Sequence, residues 1–225
     1  MNIVIPLIES KNDNVELRYT LRSLQAYYGD FELYVIGYCP LWLKADTYIW
    51  DVNISGSKNK EFNIASRIAY SCQIIHEPFL YSCDDNYILP SYCDIVRHKG
   101  FISETCAETK SGSYRKSCEN TMKELGLNVL DYDLHCPAWI DPHKFLDVYQ
   151  AHNFNQDFGL LVKSTYFNYV GSACTLSDDI KIRTPLRSLE HLRNVEFFST
   201  HESAINKQMI IFLESLFPDK SRFEG

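Results

Sequence analysis

The chain alternates short runs of β-formers with stretches of helical period, and this alternation limits the folds open to it more than any other feature. Residues 3–8 form an apolar run at the extreme N-terminus, consistent with a buried strand. In ELRYTLRSLQAYY, Leu17, Leu21, Leu24 and Tyr28 recur at helical spacing, and Gly29-Asp30 stops the helix. Residues 31–38, FELYVIGY, read as a second strand closed by Pro40, and residues 47–52 as a third. The helical period returns over residues 61–75 through Phe62, Ala65, Ile68, Ala69 and Cys72, with Asn59 as its N-cap. Residues 79–83 supply the next strand. Strands separated by helices of this length predict an α/β fold of βαβ units, a mostly parallel sheet flanked by helices, and a ligand site at the carboxyl ends of the strands.

The second half is less regular. Residues 91–113 predict an irregular excursion or a hairpin with its loops. Helices are expected over residues 114–125, ended by Gly126, and over residues 142–150. Residues 171–185, GSACTLSDDIKIRTP, are small and polar without a period and read as a mobile loop. A last helix has Ile205, Met209, Phe212, Leu213 and Leu216 on one face and ends at Pro218. With 225 residues, 45% of them hydrophobic, the chain can bury one full core, so a single domain is expected.

A formal net charge of −7 argues against a protein that wraps nucleic acid through a basic surface. No two of the eight cysteines have Cys-x-x-Cys spacing, and no segment is apolar and long enough to span a bilayer. The chain therefore reads as cytoplasmic, with free thiols.

The chemistry concentrates in FLYSCDDNYIL, residues 79–89, where an apolar run ends in Asp84 and Asp85. Two adjacent carboxylates at the end of a buried strand call for a compensating charge, and Mg²⁺ or Mn²⁺ bound to a diphosphate supplies it with oxygen ligands. The alternative is an ordinary turn, since aspartate favours turns through local hydrogen bonds.

ELRYTLRSL, the CPLWL that follows the second strand, FLYSCDDNYIL and the His135-Cys136-Pro137 segment together resemble the order of blocks in the Stealth family of sugar-phosphate transferases. A broader likeness joins the short N-terminal strand, Asn59-Lys60 before a helix, the Asp-Asp strand end and the tail LFPDKSRFEG. These resemble small GT-A-fold glycosyltransferases of bacterial and phage type. That resemblance implies one Rossmann-like domain, with residues 1–90 as the nucleotide half and residues 91–225 as the acceptor half. It also implies a nucleotide-sugar donor, UDP-linked for preference, and a divalent metal.

In that frame Asp85 is the first candidate for metal contact, and Asp84 for the sugar or for supporting the metal, with His201 as a third metal candidate. Lys181 and Arg183 in the expected loop are candidates to close over the phosphates; surface charge is the equal alternative. Lys60 and Asn63 head a helix whose backbone amides favour anions. Pro6 and Arg18 complete the nucleotide-side candidates, Arg18 by analogy and otherwise as a salt bridge. His135 is the leading candidate for deprotonating an acceptor hydroxyl, with Asp179 and Glu202 competing for the role. The acceptor expected is a carbohydrate, or a hydroxylated DNA base. A sugar-1-phosphate transferase and an inactive nucleotide-binding module are the alternatives.

Overall fold

The computed structural model describes residues 1–50, 60–110 and 112–225. In chain order its elements are β1 (Asn2–Leu7), α1 (Val15–Tyr28), β2 (Glu32–Gly37), β3 (Thr47–Trp50), α2 (Lys60–Ile74), β4 (Phe79–Tyr81) and β5 (Asn86–Ile88). There follow β6 (Arg97–His98), α3 (Ile102–Glu108), α4 (Ser113–Leu125), β7 (Ala138–Ile140), α5 (Pro142–Ala151) and α6 (Val162–Val170). The chain ends through β8 (Thr175–Leu176), β9 (Lys181–Ile182), β10 (Phe197–Thr200) and α7 (Lys207–Leu216).

The main sheet has the order β3-β2-β1-β4-β7. Its first four strands are parallel and β7 runs antiparallel to β4. The chain lays β2 and β3 on one side of β1 and then crosses to place β4 on the other. The strand order therefore reverses between β1 and β4, where a sheet of this kind opens a crevice beyond its carboxyl ends. β1 is apolar without interruption from Ile3 to Leu7 because both of its faces are covered. Ile3, Ile5 and Leu7 pack with Leu17, Leu21 and Leu24 of α1 on one face. On the other face Val4 packs with Ala65, Ile68 and Ala69 of α2, Phe145 of α5 and Tyr166 of α6. At Gly37, with φ +113°, a Cβ would stand 2.2 Å from the Leu7 carbonyl oxygen, so β2 can leave β1 here only as glycine.

A second sheet, β5-β10-β9, stands beyond the main one. Its Tyr87 and Phe198 join Tyr19 of α1 and Met209, Phe212 and Leu213 of α7 in a separate core. The parallel pair β6-β8 forms a short ribbon. No helix among the described residues is long and apolar enough to cross a membrane, and all eight cysteines are free.

The expected mostly parallel sheet with flanking helices is what folds. Several local readings are corrected. Residues 91–113 hold β6 and α3 instead of an irregular excursion. The segment expected as a loop over residues 171–185 carries β8 and β9, the latter paired with β10. The last helix starts at Lys207, where the Asn206 side chain accepts from the Met209 amide at 2.9 Å, so Ile205 precedes it. α6 has no counterpart in the sequence reading. It is buried at six consecutive positions, Val162 to Phe167, and a helix covered on most sides has no polar face to mark its period. The end of the expected third strand and Asn59 lie outside the described residues.

Candidate active site

A cavity of about 520 Å³ opens at the carboxyl ends of β1 and β4, within the usual range for small-molecule sites. Pro6 of β1 and Ile8 just beyond it line the cavity on one side, and Tyr81, Cys83, Asp84 and Asp85 line it from the end of β4 and the turn that follows. The two aspartates occupy the turn that carries the chain from the main sheet into β5. That turn is fixed from several sides. Ser82 donates its amide to the Val4 carbonyl at 3.1 Å, and Cys83 donates its amide to the Asn86 side chain at 3.1 Å. Thr20 Oγ1 donates to the Asp84 carbonyl at 2.7 Å, and the Thr200 amide to the Asp85 carbonyl at 3.3 Å.

Among the described residues, four acidic and four basic side chains line the cavity: Glu61, Asp84, Asp85 and Asp133 against Lys60, Arg67, Lys163 and Lys181. Burial and the neighbouring charges of Asp85 and Glu16 push the Asp84 carboxyl well above its ordinary range, with Lys181 pulling the other way. Burial and Asp133 likewise raise Glu61. Lys181 Nζ stands 2.9 Å from Asp85 Oδ2 in an ion pair. Desolvation by itself lowers Lys60, but Glu61, Asp133 and Asp85 outweigh it, and the ammonium ends above its usual value.

Lys163 is 6% exposed and donates to the carbonyls of Leu134 and Cys136, the latter at 3.1 Å. Burial works against its charge, yet Cys136, Asp133 and Cys83 hold it above the ordinary lysine range. It is therefore a fixed cation in the cavity wall. Nothing in the sequence marked it, because α6 itself was illegible. Glu61 and Arg67 were missed for another reason. Glu61 opens a helix with a clear apolar stripe, where a charged residue reads as a solvated first turn. Gly159, with φ +64°, has room for no Cβ beside Glu61, whose own Cβ would lie 2.9 Å away, so this loop packs tightly on the start of α2.

His135 lines the same cavity and is held from behind. Its Nδ1 lies 2.9 Å from Asp179 Oδ2, and its amide donates to Asp179 Oδ1 at 2.8 Å. Lys99 Nζ stands 3.8 Å from Asp179 and 3.6 Å from the buried Asp131, and donates to the Tyr114 hydroxyl at 2.9 Å. Burial alone raises the Asp179 carboxyl, but the bonds from His135 and the Lys99 charge prevail and hold it far below the ordinary range. Asp179 is thus a poor proton acceptor and a good anchor. It fixes the imidazole and leaves Nε2 as the ring nitrogen it does not hold.

Of the sequence candidates, Pro6, Lys60, Asn63, Asp84, Asp85, His135 and Lys181 line one cavity, and Asp179 supports it. Four do not line it. Arg18 lies 3.9 Å over the Trp42 ring and 3.7 Å from Glu224, so it belongs to the packing of the C-terminal tail. Arg183 gives its carbonyl to Ser203 Oγ beyond the end of β9. His201 turns its Nδ1 to Ser203 Oγ at 2.7 Å, and Glu202 accepts from the Lys11 amide at 2.9 Å. Both sit at a 3-10 turn after β10 instead of heading α7. Among the described residues no three His, Cys, Asp or Glu side chains converge as a metal-binding group. The set Asp84, Asp85 and His201 is not assembled.

No protein-family model matches the chain, and no curated protein matches it. Solved structures do. The chain is similar to the inositol-1-phosphate CTP transferase from T. maritima, with 11% identity, TM-score 0.50, and coverage of 96% of this chain and 95% of that one. It is also similar to a glycosyltransferase involved in glycosylation of the major capsid of PBCV-1 (13% identity, TM-score 0.45, 95% and 98% covered). A third is the galactosyltransferase LgtC with donor and acceptor sugar analogues (13% identity, TM-score 0.46, 99% and 98% covered). At such identities the likeness to the CTP transferase bears on the fold alone, and it agrees with the Rossmann-like domain described above.

Proposed function

We propose that the chain is a glycosyltransferase that moves a sugar from a nucleotide-sugar donor, UDP-linked for preference, to a hydroxyl of a carbohydrate acceptor. The observation that carries this reading is the pairing, in one cavity at the strands' carboxyl ends, of an acidic turn with four cationic side chains and a carboxylate-anchored histidine. Diphosphate chemistry needs the cations, and a hydroxyl nucleophile needs the histidine. The net charge of −7 favours carbohydrate over a hydroxylated DNA base as acceptor.

In this reading His135 Nε2 takes the acceptor's hydroxyl proton while Asp179 keeps the ring oriented and stabilises the imidazolium that forms. The departing nucleoside diphosphate gains negative charge, which Lys60, Arg67 and the fixed Lys163 offset within the cavity.

Asp84 and Asp85 fit a Mn²⁺ or Mg²⁺ ion, since such ions are held by one or two carboxylates and complete their shell with water and phosphate oxygens. Bound there, the ion would neutralise diphosphate charge. Titration calorimetry with UDP and GDP, in Mn²⁺ and in EDTA, tests the proposal. Tighter nucleotide binding with Mn²⁺ is expected. Equal binding in EDTA would remove the metal and leave the charge to the lysines; no nucleotide binding in either condition would overturn the reading.

A further inference from the structure

The Lys181–Asp85 pair does more than balance charge. Its ammonium and carboxylate are 2.9 Å apart, and both side chains are largely buried in the cavity wall, 13% and 19% exposed. Lys181 holds the carboxylate that is the leading candidate for metal contact. An ammonium and a divalent ion on one carboxylate repel each other, so the arrival of the ion requires the lysine to leave. The backbone cannot carry it away. Lys181 lies in β9, in register with Ser199 of β10, and the Ser199 and His201 amides donate to the carbonyls of Ile180 and Ile182 at 2.9 and 2.8 Å. Only the flexible four-carbon stem can swing, with its root at the cavity edge.

We infer that Lys181 is a resident counterion which a divalent cation displaces from Asp85, and that the released ammonium then binds the diphosphate of the nucleotide. The ion and the nucleotide thereby bind cooperatively through one side chain. The inference rests on the nucleotide reading above and adds the coupling between its two ligands. Two other basic residues do not fit the part: Lys163 is tied to two carbonyls, and Arg183 does not line the cavity.

The test measures two binding constants in wild type, Lys181→Met and Arg183→Met. Mn²⁺ is titrated first without nucleotide, by electron paramagnetic resonance of the free ion. UDP is then titrated by calorimetry in saturating Mn²⁺. Lys181→Met is expected to bind Mn²⁺ about tenfold more tightly and UDP about tenfold more weakly, in the usual range of coupling between two ligands. Arg183→Met removes the same charge nearby and is expected to leave both constants within about twofold, as for a screened, exposed charge. Should Lys181→Met prove too unstable in the absence of metal, Lys181→Arg serves instead: its forked guanidinium holds Asp85 and is expected to weaken Mn²⁺ binding. Equal Mn²⁺ affinity in wild type and Lys181→Met would overturn displacement, as would equal tightening by Arg183→Met. Tighter Mn²⁺ with unchanged UDP would overturn the transfer to diphosphate. Failure of UDP to bind any variant would sink the nucleotide reading itself, a result separable from the Mn²⁺ arm.

Discussion

Asp179 and Asp84 are carboxyls driven in opposite directions by the same region, and their effects on stability have opposite signs. Asp179 is held below its ordinary range by His135 and Lys99 against the effect of burial. Its contribution is present above the unfolded carboxylate pKa and is lost as pH falls through that range toward the depressed folded value. Asp179→Asn is therefore expected to destabilise the metal-free protein at pH 7 by about 1.5–3 kcal/mol, the worth of a charge-assisted hydrogen bond. The gap should begin to narrow below about pH 4 and keep narrowing as the pH falls further. Asp84 is raised, by burial first and then by Asp85, so its favourable state is the neutral acid. Stability associated with it is present below the ordinary carboxylate pKa and lost as pH rises through the raised value. Asp84→Asn should match wild type near pH 4 and exceed it at pH 8. Denaturant melts across pH check both; a gap of the same sign for the two variants at pH 8 would contradict the charge assignments. His135→Ala is expected to lower turnover by about 10²–10⁴, the usual worth of a general base, with UDP affinity nearly unchanged. Full activity per folded molecule would make His135 a structural side chain.

The element that presents the chemistry is the turn between β4 and β5. Asn86 is 1% exposed, and its side chain accepts from the Cys83 amide, which closes the turn around Asp84 and Asp85. Asn86→Ala leaves that amide without its acceptor and is expected to cost about 1–3 kcal/mol in a chemical melt. Mn²⁺-dependent UDP binding should weaken at the same time; unchanged binding would show that the turn is held by its other bonds. This turn was legible in the sequence, because an apolar run that stops at two aspartates is a strong local signal. So were β1, as a continuous apolar run, β2, as a run of β-formers, and α1 and α2, whose period of 3.6 matches the faces they bury. β9 was not legible: two residues in a polar stretch have no period, and only pairing with β10 makes them a strand. α6 was hidden by burial on most sides, and Lys163 with it. His135 was visible as a residue, but its link to Asp179 spans 44 positions and exists only in the fold. His201 and Glu202 were misplaced because the polar pair before an apolar helical stripe imitates a helix start, whereas Asn206 is the cap.

The molecule as a whole is closed by its C-terminal tail. Arg22 makes paired bonds of 2.8 and 2.9 Å to Glu224, and Phe223, fully buried, enters the core beneath α1. Phe223→Ala is expected to lower stability by about 3–5 kcal/mol, as for large-to-small changes in a packed core. UDP affinity per folded molecule should be preserved, since Phe223 does not line the cavity. A comparable loss of affinity would mean that the tail shapes the site. The function proposed for this cavity has a nucleotide-sugar cleaved at the sugar, not within the pyrophosphate. Phosphorus NMR of the purified chain incubated with Mn²⁺, a panel of UDP-sugars and a carbohydrate acceptor reads that choice directly. UDP is the product expected; UMP with the sugar carried on phosphate would contradict it.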